Sequence, residues 1–343
     1  MPHILLFLAI AIITIHRAAI AQPLNTSFRP GKKWTDTNGN PIQAHGGGIL
    51  FYEGTYYWYG ENKDSVNAPM VVLPGWSVDR VDVIGVSCYS SKDMYNWKFE
   101  SLALPAAKNN PESDLHPKKV VERPKVIYNR ITKKFVMWLH IDSEDYKAAR
   151  SGVAIADKPE GPFTYLGSFR PNGLMARDMT LFADDDGKAY QFYSSEDNKT
   201  MIVSELTADY LKPSGRYKRI FIDQSREAPA VFKHNEKYYC ITSGCTGWAP
   251  NPSEYAVADS PLGEWQVKGN PAKGEGAQTT FNAQGTFVIP VQGKANTYIF
   301  MADRWLNKEL KNSSYVWLPL QVKPDGSLEI YYKKEWKLSE FTP

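Results

Sequence analysis

The hydrophobic positions of this chain follow one pattern that occurs five times. Each copy is a short apolar strand, a tight turn and a second strand rich in tyrosine, phenylalanine or tryptophan. Equivalent apolar positions in successive copies lie 77, 55, 50 and 57 residues apart, as expected for propeller blades with insertions. The five copies occupy residues 48–59, 124–138, 179–193, 229–240 and 285–300.

The segments around each copy extend it into a four-stranded unit. The turns of three copies carry pairs that are typical of hairpins, namely Glu53-Gly54, Asp186-Gly187 and Gln292-Gly293. Several copies continue with a third strand and then a strand marked by tryptophan or phenylalanine, over 85–97, 152–163 and 255–265. Four strands per unit, with hardly any helical periodicity, predict an all-β fold, a five-bladed β-propeller rather than a β-sandwich.

The N-terminus has the pattern of an export signal. Residues 4–15 form an almost unbroken apolar run, too short to span a bilayer comfortably, and Ala19-Ile20-Ala21 supplies a small-x-small cleavage pattern. We therefore predict a signal peptide over 1–21 and a propeller domain over 22–343, secreted or periplasmic and without stable membrane insertion after cleavage. An uncleaved membrane anchor is the alternative, because His3 is the only potential positive charge before the run.

The composition and net charge indicate which classes of molecule this protein is able to bind. The formal net charge is only +3 and there is no long basic run, so a nucleic acid partner is not expected. Aromatic residues make up 13% of the chain, which suits β structure and surfaces that stack on sugar rings. Cys240 and Cys245 either pair or, together with Cys88, stay reduced. We expect a monomer that needs neither a metal nor a cofactor.

In a propeller, the inner strands of all blades converge on a central channel, so polar residues at their starts meet in one funnel. Several acids and arginines at this point of the repeat are unexpected for a β pattern. They form either a functional site or a central ion-pair network. The residues are His45 in blade 1, Glu122 and Arg123 in blade 2, Arg177 and Asp178 in blade 3, Arg226 and Glu227 in blade 4, and Gln284 in blade 5.

Two sequence segments at these positions resemble motifs of glycoside hydrolase family 43, whose members are inverting five-bladed propellers, and the resemblance covers nearly the whole mature chain. The segment 177–187 is similar to the motif of the aspartate that tunes and orients the acid, which here is Asp178. The segment 226–232 is similar to the general-acid motif, which assigns Glu227 as the proton donor to the leaving oxygen.

Blade 1 departs from the family pattern. The family places an Asp base before the first inner strand, whereas residues 43–50 carry glycine there. The subgroup of exo-β-1,3-galactanases shares this departure, and the resemblance to it implies a polysaccharide or oligosaccharide substrate, the β-1,3-galactan backbone of arabinogalactan. It also implies that Gln284, as its imidic acid tautomer, replaces the base. Glu122 is the alternative base, with Gln284 as an ordinary hydrogen-bonding amide.

The same resemblance implies a set of sugar-contacting residues and leaves two other functions open. Trp248, in a Gly-rich loop, is either a stacking platform or a packed aromatic residue. Another activity of the family, α-L-arabinofuranosidase or β-xylosidase, is expected to keep the Asp in blade 1. A carbohydrate-binding propeller without turnover is the other alternative. Some relatives hold a channel calcium, but no clear ligand set for it is evident in this chain. The implied sugar contacts are Glu61, Arg123, Tyr146, Asn198, Thr246 and Trp248.

Overall fold

The strands of the computed structural model form five antiparallel blades, one for each copy of the sequence pattern. The structure describes residues 24–67, 71–73, 76–78 and 81–340. Blade 1 consists of His45–Tyr52, Thr55–Asn67, Val81–Ser91 and Lys98–Pro105. Blade 2 consists of Val120–Asn129, Lys134–Asp142, Arg150–Ala156 and Thr164–Phe169. Blade 3 consists of Met179–Ala183, Ala189–Ser195, Thr200–Leu206 and Pro213–Ile220.

The last two blades complete the ring. Blade 4 consists of Arg226–His234, Lys237–Gly244, Glu254–Ala258 and Gln266–Gly269. Blade 5 consists of Gln284–Pro290, Tyr298–Arg304, Ser314–Val322 and Leu328–Tyr331, and Ala272–Lys273 adds a parallel strand at its edge. A small hairpin, Val71–Leu73 with Trp76–Val78, is inserted in blade 1. In the described part of the chain the helices are short 3-10 turns, Pro171–Gly173, Ala277–Thr279, Leu310–Asn312 and Leu338–Glu340.

Hydrophobic packing between neighbouring blades holds the propeller together. Each of the five large clusters of buried apolar side chains joins two consecutive blades, and one of them joins blade 5 to blade 1. Phe28 and Trp336 exchange backbone hydrogen bonds of 2.8 and 3.1 Å, so the two ends of the described chain meet beside this last interface. Because every blade is packed on both faces, side chains on different blades are held at fixed positions around the channel.

The structure confirms the predicted all-β, five-bladed β-propeller. The predicted signal peptide over 1–21 lies outside the described residues, and so does its cleavage boundary. No helix within the described ranges has both the length and the apolar character that crossing a membrane requires. The disulfide alternative was wrong: Cys240 lies within the second strand of blade 4 and Cys245 follows its end. Five residues of extended chain separate them by about 16 Å, more than twice the reach of a disulfide.

Candidate active site

The inner strands begin at the same end of the channel, and irregular backbone there turns polar side chains inward. The pairing register shifts at this end of four described inner strands, after His45, Glu122, Glu227 and Gly285. Such bulges add a residue to one strand and re-aim its side chains. In blade 2 the bulge places Arg123 in the left-handed region, with φ of +53°. The sequence pattern located these positions, and the bulges make them converge.

Arg123 lies at the centre of the site and links three blades. Its Nη2 atom lies 2.9 Å from Asp178 Oδ2 of blade 3 and donates to Gln284 Oε1 of blade 5 at 2.6 Å. Its backbone N–H donates to the carboxylate of Glu61 in blade 1 at 2.9 Å. The guanidinium group also lies 5.8 Å from the ring centroid of Trp305, within the range of a cation–π contact. Arg123 therefore fixes the relative positions of Asp178 and Gln284.

Glu227 has the environment of a carboxylic acid that keeps its proton. Gln284 Nε2 donates to its Oε1 at 2.9 Å, and Asn198 Nδ2 donates to its Oε2 at 3.2 Å. Burial raises the pKa of Glu227 to about 8, and the negative charge of Asp178 also raises it, against the opposing charge of Arg123. At neutral pH most of this carboxyl is protonated, as a general acid requires.

Gln284 uses all four hydrogen-bonding positions of its amide. Its Oε1 accepts from Arg123 and, at 2.9 Å, from the indole N–H of Trp305. Its Nε2 donates to Glu227 and, at 3.0 Å, to Ser243 Oγ. Guanidinium and indole groups have only donors, so the oxygen of Gln284 must face them and the orientation of the amide is fixed. An imidic acid tautomer would place a proton on this oxygen, directly against two N–H groups.

Glu122 is held as an anion by buried cations. Its Oε1 lies 3.7 Å from Lys63 Nζ, its Oε2 lies 3.4 Å from His140 Nδ1, and the hydroxyl of Tyr146 donates to it at 3.3 Å. Burial alone would raise the pKa of Glu122, but the hydrogen bond to His140 and the charge of Lys63 lower it to about 2. His140 Nε2 also contacts Asp142 Oδ2 at 3.1 Å. Burial opposes its charge, yet Asp142 and Glu122 raise its pKa to about 9.

One group of potential metal ligands lies in the described residues of the site. Glu122, His140 and Asp178 each offer a ligand atom, and these atoms lie within 4.8 Å of one another. Lys63 and Arg123, together with the protonated imidazole, already neutralise this group. A divalent cation would have to compete with three positive charges, so the residues present fit a metal poorly. The absence of a metal remains a prediction.

Of the sugar-contacting residues implied by the sequence, some contact Glu227 or Glu122 and others do not. Asn198 contacts Glu227, and Tyr146 contacts Glu122. Glu61 is only 2% exposed and binds Lys63 Nζ at 2.8 Å, so it lies behind Arg123. Thr246 Oγ1 donates to the carbonyl of Ala249 within its own loop.

Trp248 packs edge-to-face on Trp305, with the ring centroids 5.1 Å apart, and it also contacts Val120 and Tyr146 of blade 2. It therefore covers part of the mouth of the central channel. The remaining candidates are paired with carboxylates outside the group around Glu227. His45 is fully buried, with its Nδ1 3.3 Å from Asp303 Oδ1. Arg177 contacts Asp142 and Asp197, and Arg226 pairs with Glu254.

Sequence reasoning missed several site residues that belong to second strands. Ser243 lies at the end of the second strand of blade 4, His140 near the end of that of blade 2, and Asp303 near the end of that of blade 5, shortly before Trp305. An antiparallel second strand returns to the end where the inner strand began, so its last residues also face the site. The same repeat pattern would have located them, had the ends of the second strands been searched.

Two small cavities border residues of this site, and a larger groove lies elsewhere. A pocket of about 160 Å³ lies beside Ser243, Gln284 and Trp305, and Trp248 forms part of its wall. Trp248 also lines a smaller pocket that contains Lys63, Glu122 and Tyr146. A larger groove of about 940 Å³ lies between blades 4 and 5, lined by His234, Tyr239 and Gln321 among others. Its lining includes none of the predicted site residues.

Comparison with known proteins gives consistent matches. The family model described as glycosyl hydrolases family 43 matches residues 39–325. A GH43 β-1,3-galactosidase, solved with galactodeoxynojirimycin, is 42% identical over 91% of this chain and 100% of its own, with a TM-score of 0.84. An exo-β-1,3-galactanase from Phanerochaete chrysosporium, solved with β-1,3-galactotriose, is 36% identical over 91% of this chain and 68% of its own, with a TM-score of 0.81.

A curated relative, a xylan 1,3-β-xylosidase from Vibrio sp, is 27% identical over 175 residues. That alignment covers 46% of this chain and 31% of the relative, so the two share only a part of their lengths.

Proposed function

Since this chain belongs to glycoside hydrolase family 43, we propose that it is an inverting, exo-acting hydrolase that releases galactose from β-1,3-galactan. The observation that carries the proposal is Glu227, a buried carboxyl whose pKa is raised to about 8 and whose two oxygens are oriented by Gln284 and Asn198. The two solved relatives named above act on β-1,3-linked galactose by their descriptions, and they match nearly the full described propeller.

In the proposed reaction, Glu227 donates its proton to the glycosidic oxygen as the bond to the anomeric carbon breaks. As that bond breaks, a water molecule attacks the anomeric carbon from the opposite face and gives a proton to a general base, which inverts the anomeric configuration. Burial, and after it the negative charge of Asp178, keep Glu227 protonated until that moment. Trp248 and Trp305 offer aromatic surfaces on which a sugar ring can stack.

Glu122 is the better-equipped group for activating the water. Its carboxylate is ionised at neutral pH and its side chain is 14% exposed, so a water molecule can contact it. Because its pKa of about 2 makes it a weak base, it accepts the proton of the water only as the new bond to the anomeric carbon forms. Gln284, the preferred base in the sequence-based hypothesis, is held in its amide form by Arg123 and Trp305. We therefore propose that Gln284 orients Glu227 and that Glu122 accepts the proton.

Activity and stereochemistry are tested together. Linear β-1,3-galactan is incubated with the wild type and with Glu227→Gln, and products are followed by chromatography and early-time NMR. Release of galactose as its α anomer supports the proposal, whereas a β product or action only on arabinan or xylan contradicts it. For the base, azide is added to Glu122→Ala and to Gln284→Ala. Rescue of the Glu122 variant alone supports Glu122, and rescue of the Gln284 variant alone transfers the role to Gln284.

The N-terminal sequence and the proposed substrate both indicate that the enzyme acts outside the cytoplasm. Residues 1–21 are proposed to direct export, so that the monomeric enzyme meets arabinogalactan outside the cytoplasm. The similarity to the Vibrio xylosidase keeps a β-xylosidase activity as a second candidate. Parallel assays with β-1,3-xylobiose and β-1,3-galactobiose separate the two by their kcat/KM values.

A further inference from the structure

Lys125 is a buried amine at the centre of the propeller that the proposed reaction does not use. It lies on the inner strand of blade 2 and is 2% exposed. Its Nζ donates to the carbonyl of Gly46 in blade 1 at 2.9 Å and to the carbonyl of Arg123 at 3.4 Å. No carboxylate of the described residues lies within ion-pair distance of it. A buried amine loses its hydration, so the two backbone carbonyls are the contacts that compensate for its burial.

Lys125 and Glu61 occupy the space beside the glycine run of blade 1. A Cβ atom on Gly48 would lie 2.6 Å from Cδ of Lys125, and one on Gly46 would lie 2.1 Å from Oε1 of Glu61. Gly46 also has φ of +57°, a conformation that favours glycine. Blade 1 therefore has no room for a side chain at these positions, because neighbouring buried groups fill it.

The same two side chains hold the backbone of Arg123. Glu61 accepts from the Arg123 N–H, and Lys125 donates to the Arg123 carbonyl. A non-glycine residue in the left-handed region is strained and persists only where its surroundings hold it there. The guanidinium group that this conformation directs inward contacts both Asp178 and Gln284.

We propose that Lys125 is a positioning residue, which ties the bulge at Arg123 to the glycine run of blade 1 and thereby sets the alignment of Asp178, Gln284 and Glu227. The proposal rests on the proposed function for its activity readout. The charged groups that act on Lys125 are Arg123, Glu61, Asp178 and Asp303. Burial, together with the charge of Arg123, lowers the pKa of Lys125 to about 7, and the neutral amine still donates to both carbonyls.

The test compares Lys125→Met with the wild type in kcat, KM and pH dependence on β-1,3-galactobiose. Methionine retains the bulk of the stem and removes the donor, so the Arg123 carbonyl loses its link to blade 1 and we expect the guanidinium group to move away from Glu227. A displacement of about 1 Å in a catalytic group lowers the rate by roughly 100-fold, and the loss is expected mainly in kcat. Because the charge of Arg123 lowers the pKa of Glu227, the alkaline limb of the profile should move to higher pH.

Lys134→Met is the matched control, since Lys134 lies on the neighbouring strand of the same blade and pairs with exposed Asp157. It should leave kcat and the pH profile unchanged. A double-mutant cycle with Arg123→Lys provides the second criterion. If Lys125 acts through Arg123, Lys125→Met should lower kcat by far less than 100-fold when Arg123→Lys is already present.

The outcomes distinguish this proposal from the proposed function. A wild type inactive on every β-1,3-galactoside refutes the proposed function, and the effect of Lys125 is then read from the affinity for galactodeoxynojirimycin by calorimetry. A variant with wild-type kcat and alkaline limb, or with fully additive losses in the cycle, overturns the role of Lys125. If Lys125→Met does not fold, Lys125→Gln is measured in the same cycle, because its amide retains a donor. A rate loss with an unchanged limb in that variant contradicts positioning through Arg123.

Discussion

Replacement of Asp178 by Asn should move the alkaline limb of activity towards acid, because it removes a negative charge that helps to keep Glu227 protonated. Burial is the larger cause of the raised pKa of Glu227 and is unchanged by this substitution. The pKa should therefore fall from about 8 but stay above its ordinary value of 4.5. A single neighbouring charge shifts a pKa by roughly 1–3 units, so we expect a value near 6.

The magnitude follows from the protonated fraction. At pH 7 an acid of pKa about 8 is roughly 90% protonated, whereas one of pKa about 6 is roughly 10% protonated, a tenfold loss of the active form. Loss of the carboxylate also leaves the guanidinium charge of Arg123 without its counter-ion Asp178, so that this charge acts more strongly on Glu227 and lowers its pKa further. Both effects lower the pKa of Glu227.

The assay is kcat/KM against pH on β-1,3-galactobiose, from about pH 4 to about pH 10, for the wild type and for Asp178→Asn. Asp186→Asn serves as the control, because Asp186 is exposed at the turn remote from the site. An alkaline limb that stays in place, with only KM altered, would show that Asp178 holds the substrate and does not tune the acid.

Three further predictions concern Glu227, Trp305 and Lys125. Glu227→Gln keeps the size and removes the transferable proton, so kcat should fall by roughly two to four orders of magnitude while galactodeoxynojirimycin affinity, measured by calorimetry, is largely retained. Trp305→Phe removes a donor to Gln284 Oε1, and kcat measured on β-1,3-galactobiose should fall by about tenfold or less. Lys125 binds fewer protons in the folded than in the unfolded state between pH about 7 and about 10.5, so it makes stability rise with pH in that window. Lys125→Met should therefore lower the slope of the unfolding free energy against pH by about 1.4 kcal/mol per pH unit. The slope is measured by urea unfolding at several pH values. An unchanged slope would contradict the burial of a titrating amine.

The sequence-predicted residues that the structure brings together at the channel share one property. Glu122, Asp178, Glu227 and Gln284 stand at the same point of a repeated pattern, at the start of an inner strand, and the repeat therefore determines that they meet. Arg177 and Arg226 occupy the same point but turn to other partners, Asp142 and Glu254. The local backbone decides this difference, since a side chain one position along a strand points the opposite way.

The amino-acid sequence determined the blade count, the order of the blades and the position of Glu227 at the start of an inner strand, because periodic apolar strands and short motifs are local properties of a chain. Only the tertiary structure decided the burial of Glu61 and Lys125, the four filled positions of the Gln284 amide and the entry of Trp305 into the site. These features depend on bulges and on contacts between residues up to 162 positions apart, such as Arg123 with the carbonyl of Gly285. Contacts of that kind arise from the closure of the ring, which brings together ends of strands that no local pattern relates.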